Sequence, residues 1–438
     1  MALLTDAAPA TVHRGRLLSF AADPGDGTNA DSYRYFPDGA LLIDNGRIAA
    51  VGPADAVLAR LPAGIPVVAH GGNLLLPGFI DNHIHYAQCD VIAAGGAALL
   101  DWLEDCAFVE ERRFGDSQHA TQVAEFFLDE LARNGTTTAL VFCTVHAASV
   151  DAFFGAAARR RLRMIAGKVL MDRNAPEDLR DSPTAAARES RALLERWHGQ
   201  GRLDYAITPR FAPTSSDAQL QVAGDLARDF PDAFIHSHLA ESRDELAWVR
   251  ELFPGSRSYL DVYDRFGLLR ERAIYAHCIY LDETDRRRMA QSGAAAAFCP
   301  TSNLYLGSGL FDIAAADRDG MRFSIATDVG GGSSFSMLRT LDEAGKIARL
   351  QGQDLSPLRA FYLATLGAAR NLKLEDRIGK LEVGAEADFI VLDLEATPLI
   401  ARRTAAARTL ADVLRILITL GDDRAVKATY ILGTQVHP

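Results

Sequence analysis

The strongest constraint on the fold is an alternation of short apolar runs with amphipathic stretches between residues 74 and 350. Eight runs are apolar and nearly continuous, as strands buried on both faces of a parallel sheet are. They cover residues 79–85, 136–143, 163–170, 204–211, 233–239, 273–278, 294–299 and 323–328. Helical periodicity occurs between most of them, for example over residues 122–133, 182–198, 219–229, 282–292 and 337–350. Eight β-α units predict a (β/α)8 barrel of the TIM type, in the α/β class.

The two ends of the chain have a different pattern. Residues 12–72 contain short alternating runs separated by Asp-Gly and Asn-Gly turns, and residues 384–438 return to that style. Such patterns are typical of antiparallel strands. A chain of 438 residues is also too long for one ordinary core. We therefore predict a small β-sandwich domain built from residues 1–73 and 384–438, with a hydrolase barrel of residues 74–383 inserted between them.

Charge and cysteine content limit the partners and the compartment. The formal net charge of -11 argues against a nucleic-acid partner, because no basic stripe can displace counterions. The basic clusters at 159–161 and 286–288 lie on predicted helices and indicate solvated faces. Residues 1–20 lack an export signal, and no apolar stretch approaches 18 residues, so no membrane association is expected. Five scattered cysteines fit a reduced cytoplasm.

Metal-ligating side chains occur at the ends of several predicted strands, where such barrels carry their active sites. His83 and His85 end the first strand and share one face, so both imidazoles can reach one cation. Further polar groups follow the fifth, sixth and eighth strands, namely His238 with Glu241, His277, and Asp328. Three imidazoles and a carboxylate predict a hydrolytic metal site with room for water.

Each of these residues alone also has an ordinary structural explanation. His277 could be a buried histidine with a satisfied hydrogen bond, and Asp328 could be the N-cap of a helix over 333–350. Their joint occurrence at the ends of separate strands is much less expected by chance. His236 shares a face with His238, and we expect it to have a structural or supporting role.

Several motifs carry a family resemblance over essentially the whole chain. They are residues 77–85 (PGFIDNHIH), 102–104 (WLE), 133–138 (RNGTTT), 167–172 (GKVLMD), 209–211 (PRF), 238–241 (HLAE), 300–304 (PTSNL) and 327–332 (TDVGGG). The chain resembles the amidohydrolase superfamily, which the first and last motifs mark. Within it, residues 168–172 and 210–211 resemble the branch of enzymes that deaminate guanine.

The resemblance implies a cofactor and a reaction. The implied ligands of one zinc ion per chain are His83, His85, His238 and Asp328. Zinc lowers the pKa of a bound water from about 15.7 toward 7. Asp328 would take the proton of this water, His277 would hydrogen-bond the water, and Glu241 would protonate a ring nitrogen and the departing amine. The implied reaction converts guanine to xanthine and ammonia, and the superfamily also suggests a homodimer.

Substrate binding by resemblance falls to Gln88, Arg210 and Phe211, beside His238 and Asp328. An arginine can donate to the purine oxygen, a phenylalanine can stack on the ring, and a glutamine offers both a donor and an acceptor. The alternative for Arg210 is a salt bridge at the barrel rim.

One segment departs from the guanine branch. Residues 106–109 read Cys-Ala-Phe-Val where that branch resembles Tyr-Thr-Phe-Pro, and Ala87 replaces a usual proline. This segment follows the first strand and is long enough to act as a lid. The departure leaves open a related substrate, such as 8-oxoguanine, another aminopurine, a pterin or an aminotriazine.

Other classes of protein fit the sequence less well. A two-metal cyclic amidase of this superfamily looks to need a carboxylated lysine at the end of strand 4, but residues 209–211 stand there and Lys168 lies on strand 3. Cytidine-type deaminases carry H-x-E with P-C-x-x-C, and neither motif occurs. A non-enzymatic barrel need not retain the whole set of polar residues at the strand ends.

Overall fold

The computed structural model describes residues 10–62, 64–95 and 98–437, so residues 1–9 of the predicted terminal domain lie outside the described part. The strands are β1 (Thr11–Phe20), β2 (Tyr33–Asp44), β3 (Arg47–Pro53), β4 (Val67–Pro77), β5 (Phe79–His85), β6 (Thr136–Phe142), β7 (Arg163–Gly167), β8 (Val169–Leu170), β9 (Leu203–Pro209), β10 (Phe234–Leu239), β11 (Ala273–His277), β12 (Ala295–Phe298), β13 (Arg322–Ile325), β14 (Phe389–Leu392), β15 (Val426–Ile431) and β16 (Thr434–His437).

The α-helices are α1 (Ala54–Leu58), α2 (Leu99–Trp102), α3 (Phe108–Glu111), α4 (Ser117–Arg133), α5 (Ala147–Arg159), α6 (Pro183–Trp197), α7 (Asp217–Asp229), α8 (Arg243–Leu252), α9 (Tyr259–Asp264), α10 (Glu283–Ser292), α11 (Pro300–Tyr305), α12 (Ile313–Arg318), α13 (Met337–Leu350), α14 (Pro357–Leu363), α15 (Leu366–Asn371), α16 (Pro398–Ala405) and α17 (Leu410–Leu420). Among the described helices, none has the length and apolarity needed to cross a membrane.

The predicted barrel is confirmed. Strands β5 to β13 form one parallel sheet in chain order, with β8 as a short continuation of the third strand that pairs with β9. The sheet closes on itself because Asp328 N donates to His83 O at 3.0 Å and His85 N donates to Val329 O at 2.7 Å. The third strand was predicted as continuous over 163–170, which is wrong. It breaks at Lys168, whose N–H donates to the side-chain hydroxyl of Tyr205 on β9 at 3.1 Å instead of to a backbone oxygen of that strand.

The barrel interior is packed at the end opposite to the predicted site. Apolar side chains from successive strands, including Ile80, Leu140, Ile165 and Phe234, form one cluster with residues of the segment that contains α15. This segment closes the N-terminal end of the barrel. Filled interiors are usual for this fold, which leaves the C-terminal strand ends for chemistry.

The terminal segments form one continuous seven-stranded sheet in the order β16-β15-β14-β4-β1-β2-β3. The prediction of a small β domain from both ends is thereby confirmed, and its seven strands are hydrogen-bonded as one continuous sheet. Apolar residues from both halves of the sheet, such as Leu41, Ile43, Phe389 and Tyr430, share one core. Strand β4 pairs with β14 up to Pro77.

The sequence pattern of the C-terminal segment predicted β structure throughout, but the segment also contains helices. Helices α16 and α17 lie between β14 and β15, and Leu414 and Leu417 of α17 join the large core formed mainly by the barrel and its outer helices. A capping box formed by Thr409 and Asp412 begins α17, because each side chain satisfies a backbone N–H that the first helical turn leaves free.

The basic clusters at 159–161 and 286–288, predicted to be solvated faces, also form ion pairs with carboxylates. Arg160 contacts Asp129 at 2.8 Å, and Arg288 contacts Asp264 at 2.6 Å. These ion pairs cross between neighbouring outer elements of the barrel. They give the clusters a structural role and leave no continuous basic surface there.

A buried ion cluster joins the terminal segment to the barrel. Glu386, just before β14, contacts Arg163 Nη2 at 2.7 Å and Arg202 Nη2 at 2.8 Å. Burial alone would raise the pKa of Glu386, but Arg202 and Arg163 lower the pKa below its ordinary value. A depressed carboxyl pKa stabilises the folded state above the unfolded pKa, and this stabilisation is lost as the pH falls through the folded value.

We predict that Glu386→Gln lowers the melting temperature at pH 7 by roughly 5 °C, because breaking a buried ion pair costs about 3–5 kcal/mol. The matched control is Glu382→Gln, whose carboxylate pairs with Lys380 nearer the surface and should have little effect. Thermal unfolding followed by circular dichroism measures both. The wild-type advantage over Glu386→Gln should shrink only below about pH 4.3. Equal melting temperatures of the two variants would contradict this role of Glu386.

Candidate active site

Four buried side chains converge at the C-terminal end of the barrel. His83 and His85 come from the end of β5, His238 from the end of β10, and Asp328 follows β13. His85 Nε2 lies 3.2 Å from both His83 Nε2 and His238 Nε2. Asp328 Oδ1 lies 3.0 Å from His83 Nε2 and 3.4 Å from His85 Nε2. The structure therefore brings the four predicted ligands together, and their ligand atoms all lie within 4.8 Å of one another.

The distances between these ligand atoms fit a tetrahedrally coordinated metal ion. Ligands about 2.0–2.1 Å from zinc lie about 3.3 Å apart at the corners of a tetrahedron. Burial lowers the pKa of His85 to about 4, so its imidazole is neutral at pH 7 and has a free lone pair. Burial would raise the pKa of Asp328, but the neighbouring His83 holds it well below the ordinary value. Three neutral imidazoles and one carboxylate form a donor set suited to zinc.

The outer nitrogens of two ligands are held by hydrogen bonds. His238 Nδ1 donates to the backbone oxygen of Arg210 at 2.7 Å. His83 Nδ1 lies 2.8 Å from His236 Nε2. A bond at Nδ1 fixes the ring and leaves Nε2 for a metal. His236, which was ambiguous in the sequence, therefore contacts a ligand from behind.

A second group of polar residues borders the four ligands. His277 Nε2 lies 3.3 Å from Glu241 Oε2 and 3.7 Å from Asp328 Oδ2. The opposite ring nitrogen of His277 bonds to Asn303 Oδ1 at 2.9 Å, and Ser308 Oγ donates to Glu241 Oε1 at 2.8 Å. Burial, followed by the nearby Asp328 carboxylate, raises the pKa of Glu241 to about 8. A carboxyl group with that pKa can accept and release a proton near neutral pH.

An alternative donor set overlaps the first. His277 and Cys299 form a possible group with His83 and Asp328. The Cys299 thiol is fully buried, and burial raises its pKa well above the ordinary value. A thiol must lose its proton to bind a metal well, so the four-ligand set with His85 and His238 is the better donor group.

The site opens into a cavity at the C-terminal end of the barrel. Its lining combines the metal-ligating side and a mostly apolar wall. The lining residues are His85, Gln88, Leu99, Trp102, Leu103, Arg210, Phe211, His238, Glu241, His277, Leu306, Asp328 and Gly331. The five residues predicted to bind the substrate are all among them, namely Gln88, Arg210, Phe211, His238 and Asp328.

Arg210 does form a salt bridge, but one inside the pocket and not at the barrel rim. Its Nη1 contacts Glu111 Oε1 at 2.9 Å and Oε2 at 2.6 Å. Gln88 Nε2 donates to the same carboxylate at 2.8 Å, and Gln88 Oε1 accepts from Gly330 N at 3.2 Å. Each end of the Gln88 amide therefore has one protein partner, which leaves one N–H and one oxygen lone pair unused by these two bonds.

Sequence reasoning missed three residues of this network. Asn303 lies in the motif at 300–304, so the resemblance pointed to its segment but gave it no role. Glu111 follows the altered residues 106–109, where a carboxylate among several acidic neighbours gave no separate signal. Ser308 had no signal at all, because its position depends on the loop after α11.

The segment that departs from the guanine branch is helical and not an extended loop. Helices α2 and α3 are joined by a π-helical turn over Leu103–Ala107. Of the altered residues, Val109 is exposed and Ala107 is fully buried. Neither they nor Cys106 nor Ala87 is among the residues that line the cavity. The departure therefore changes the packing of this helical segment more than the lining of the cavity.

Comparisons with known proteins agree with this geometry. Residues 74–436 match the Amidohydrolase family, and residues 39–63 match the imidazolonepropionase-like composite domain of bacteria. The guanine deaminase of Escherichia coli (strain K12) is 48% identical over 408 residues, which cover 93% of each chain.

Two solved structures are similar along almost the whole chain. The E. coli guanine deaminase superposes with a TM-score of 0.95 at 46% identity, covering 98% of this chain and 99% of that one. The guanine deaminase from C. acetobutylicum with bound guanine has a TM-score of 0.87 at 26% identity, covering 98% and 100%. The chain belongs to the amidohydrolase family.

Proposed function

We propose that this protein is a zinc-dependent guanine deaminase that hydrolyses guanine to xanthine and ammonia. The observation that carries the proposal is one cavity that combines a four-ligand metal group, a proton-carrying glutamate and a buried arginine. The high identity to the E. coli guanine deaminase supports the choice of base. One zinc per chain would be held by His83, His85, His238 and Asp328. When bound, zinc lowers the pKa of a water to about 7 and so supplies the nucleophile.

The polar residues beside the ligands move the protons. Asp328 keeps one oxygen toward the ligand group and the other toward His277, so it is placed to accept the proton of the attacking water. His277 faces the same point and orients the water. Glu241 lies next to both, and its raised pKa suits transfer of a proton to a ring nitrogen and then to the leaving amine.

The pocket wall selects the base. Arg210 offers N–H donors to the oxygen of guanine, and Phe211 presents an aromatic ring for stacking. The residues that differ from the guanine branch do not line the cavity, which supports guanine over the related amino-heterocycles.

We extend the proposal to domain organisation, compartment and assembly. The division into a terminal domain and a barrel follows the two sheets, with the passage between them near Gly78. All five cysteines are unpaired and four are buried, which supports a reducing compartment such as the cytoplasm. A homodimer rests on the superfamily resemblance alone.

Glu241→Gln should retain the metal and lose turnover by a factor on the order of 10² to 10⁴, because the amide cannot carry the proton. Steady-state ammonia release and elemental analysis on the same sample separate the two effects. Glu251→Gln, an exposed change on α8, is the control and should leave the rate unchanged. Near wild-type turnover of Glu241→Gln would remove Glu241 from the mechanism.

The function itself is tested by ammonia release from guanine, adenine, a pterin and an aminotriazine with zinc-loaded protein. Guanine should exceed adenine in kcat/KM by a factor on the order of 10⁴, because the 6-amino group of adenine cannot accept from Arg210 and leaves a buried donor unpaired. Equal rates for guanine and adenine would refute the guanine assignment. A higher kcat/KM for a pterin or triazine than for guanine would reassign the enzyme.

A further inference from the structure

Glu111 is a buried carboxylate that is hydrogen-bonded to two residues of the cavity lining, Arg210 and Gln88. It ends α3 in the segment over the cavity and is 1% exposed. Both of its oxygens contact Arg210 Nη1, and Oε1 also accepts from Gln88 Nε2. Neither the metal group nor the proton-carrying residues touch it. Its position therefore links the helical segment to the two polar side chains that face the base.

The Gln88 amide is fixed in one orientation by its two protein partners. A carboxylate only accepts hydrogen bonds, so Glu111 requires the NH2 end of the amide. A backbone N–H only donates, so Gly330 requires the oxygen end. A β-carbon on Gly330 would lie 2.4 Å from the backbone oxygen of Gln88, so this close approach needs glycine. One N–H and one lone pair of the Gln88 amide remain for a ligand.

Arg210 is held on two sides. Its guanidinium carbon lies 5.1 Å from the centroid of the Phe108 ring, and Glu111 occupies Nη1. A guanidinium has five N–H donors in a rigid plane, so pairing at Nη1 sets the direction of the donors that remain. The pairing also cancels the positive charge of Arg210 in a site from which water is largely excluded, which suits an uncharged base.

We propose that Glu111 is a positioning residue for base recognition, which holds Arg210 and Gln88 in the geometry that reads the oxygen-bearing edge of the ring. This inference rests on the proposed guanine deaminase function. Without the carboxylate, Arg210 is an uncompensated buried charge, and the Gln88 amide can flip so that its oxygen and nitrogen exchange places. A misplacement of about 1 Å in a positioning group can cost on the order of 10²-fold in rate.

The test compares guanine with 2-aminopurine, which has the same amino group at C2 but lacks the oxygen at C6. Glu111→Gln should lower kcat/KM for guanine on the order of 10²-fold, mainly through KM, and lower it for 2-aminopurine by less than about tenfold. Zinc content should stay unchanged. The matched control is Glu110→Gln, since Glu110 is the neighbouring carboxylate and pairs with Arg113 and His119 outside the cavity.

Different outcomes test the role of Glu111 and the proposed deaminase function. Equal losses for the two bases, or unchanged guanine kinetics, would overturn the role of Glu111 while wild-type guanine turnover upheld the proposed function. If Glu111→Gln does not fold, the double variant Glu111→Gln/Arg210→Met is tested in its place, because it leaves no unpaired buried charge. With Arg210 already removed, Glu111 acts only through Gln88, so its substitution should add no more than about a tenfold loss to that of Arg210→Met. A larger added loss would contradict the inference.

Discussion

The site depends on the closure of the barrel between its first and last strands. Backbone hydrogen bonds from Asp328 to His83 and from His85 to Val329 join β5 to the segment after β13. Beneath them the Asp81 carboxylate accepts from the backbone N–H groups of His83 and Thr327 at 3.2 Å each. The same contacts that close the sheet therefore place a carboxylate opposite two imidazoles that are far away in sequence.

Around this seam the structure separates two tasks. The metal-ligating group is built on strand ends, which are rigid because their neighbours in the sheet fix them. The residues that we propose to read the base are built partly on helical turns after β5, which contain Glu111 and the apolar wall at Leu99 to Leu103. In this arrangement the strands carry the catalytic groups and the connecting segments carry the groups that bind the substrate. Such a division allows one barrel fold to act on different substrates in different proteins.

The sequence predicted what depends on local periodicity and on motif spacing. The first strand has the predicted bounds, and the converging ligands follow from the rule that active sites lie at C-terminal strand ends. Ser182 and Asp282 were placed inside predicted helices and are instead their N-caps, a difference of one residue. Helix α17 was missed because strand signals on both sides of it dominated the interpretation.

What the sequence could not give are contacts between distant segments. Glu111 and Arg210 are 99 residues apart, and nothing in either local pattern selects that partner among many other carboxylates. The break at Lys168 likewise depends on a tyrosine from the next strand. Such pairings are decided by tertiary packing, which overrides local preference.

We propose that one zinc ion and one purine base meet in this cavity in a defined orientation. Diffraction at the zinc absorption edge, on crystals of zinc-loaded protein soaked with xanthine, tests it directly. We predict one anomalous peak per chain, contacted by His83, His85, His238 and Asp328, with the oxygen at C6 of the base on Arg210. Two peaks, a peak on Cys299, or a base with that oxygen turned away from Arg210 would contradict the account.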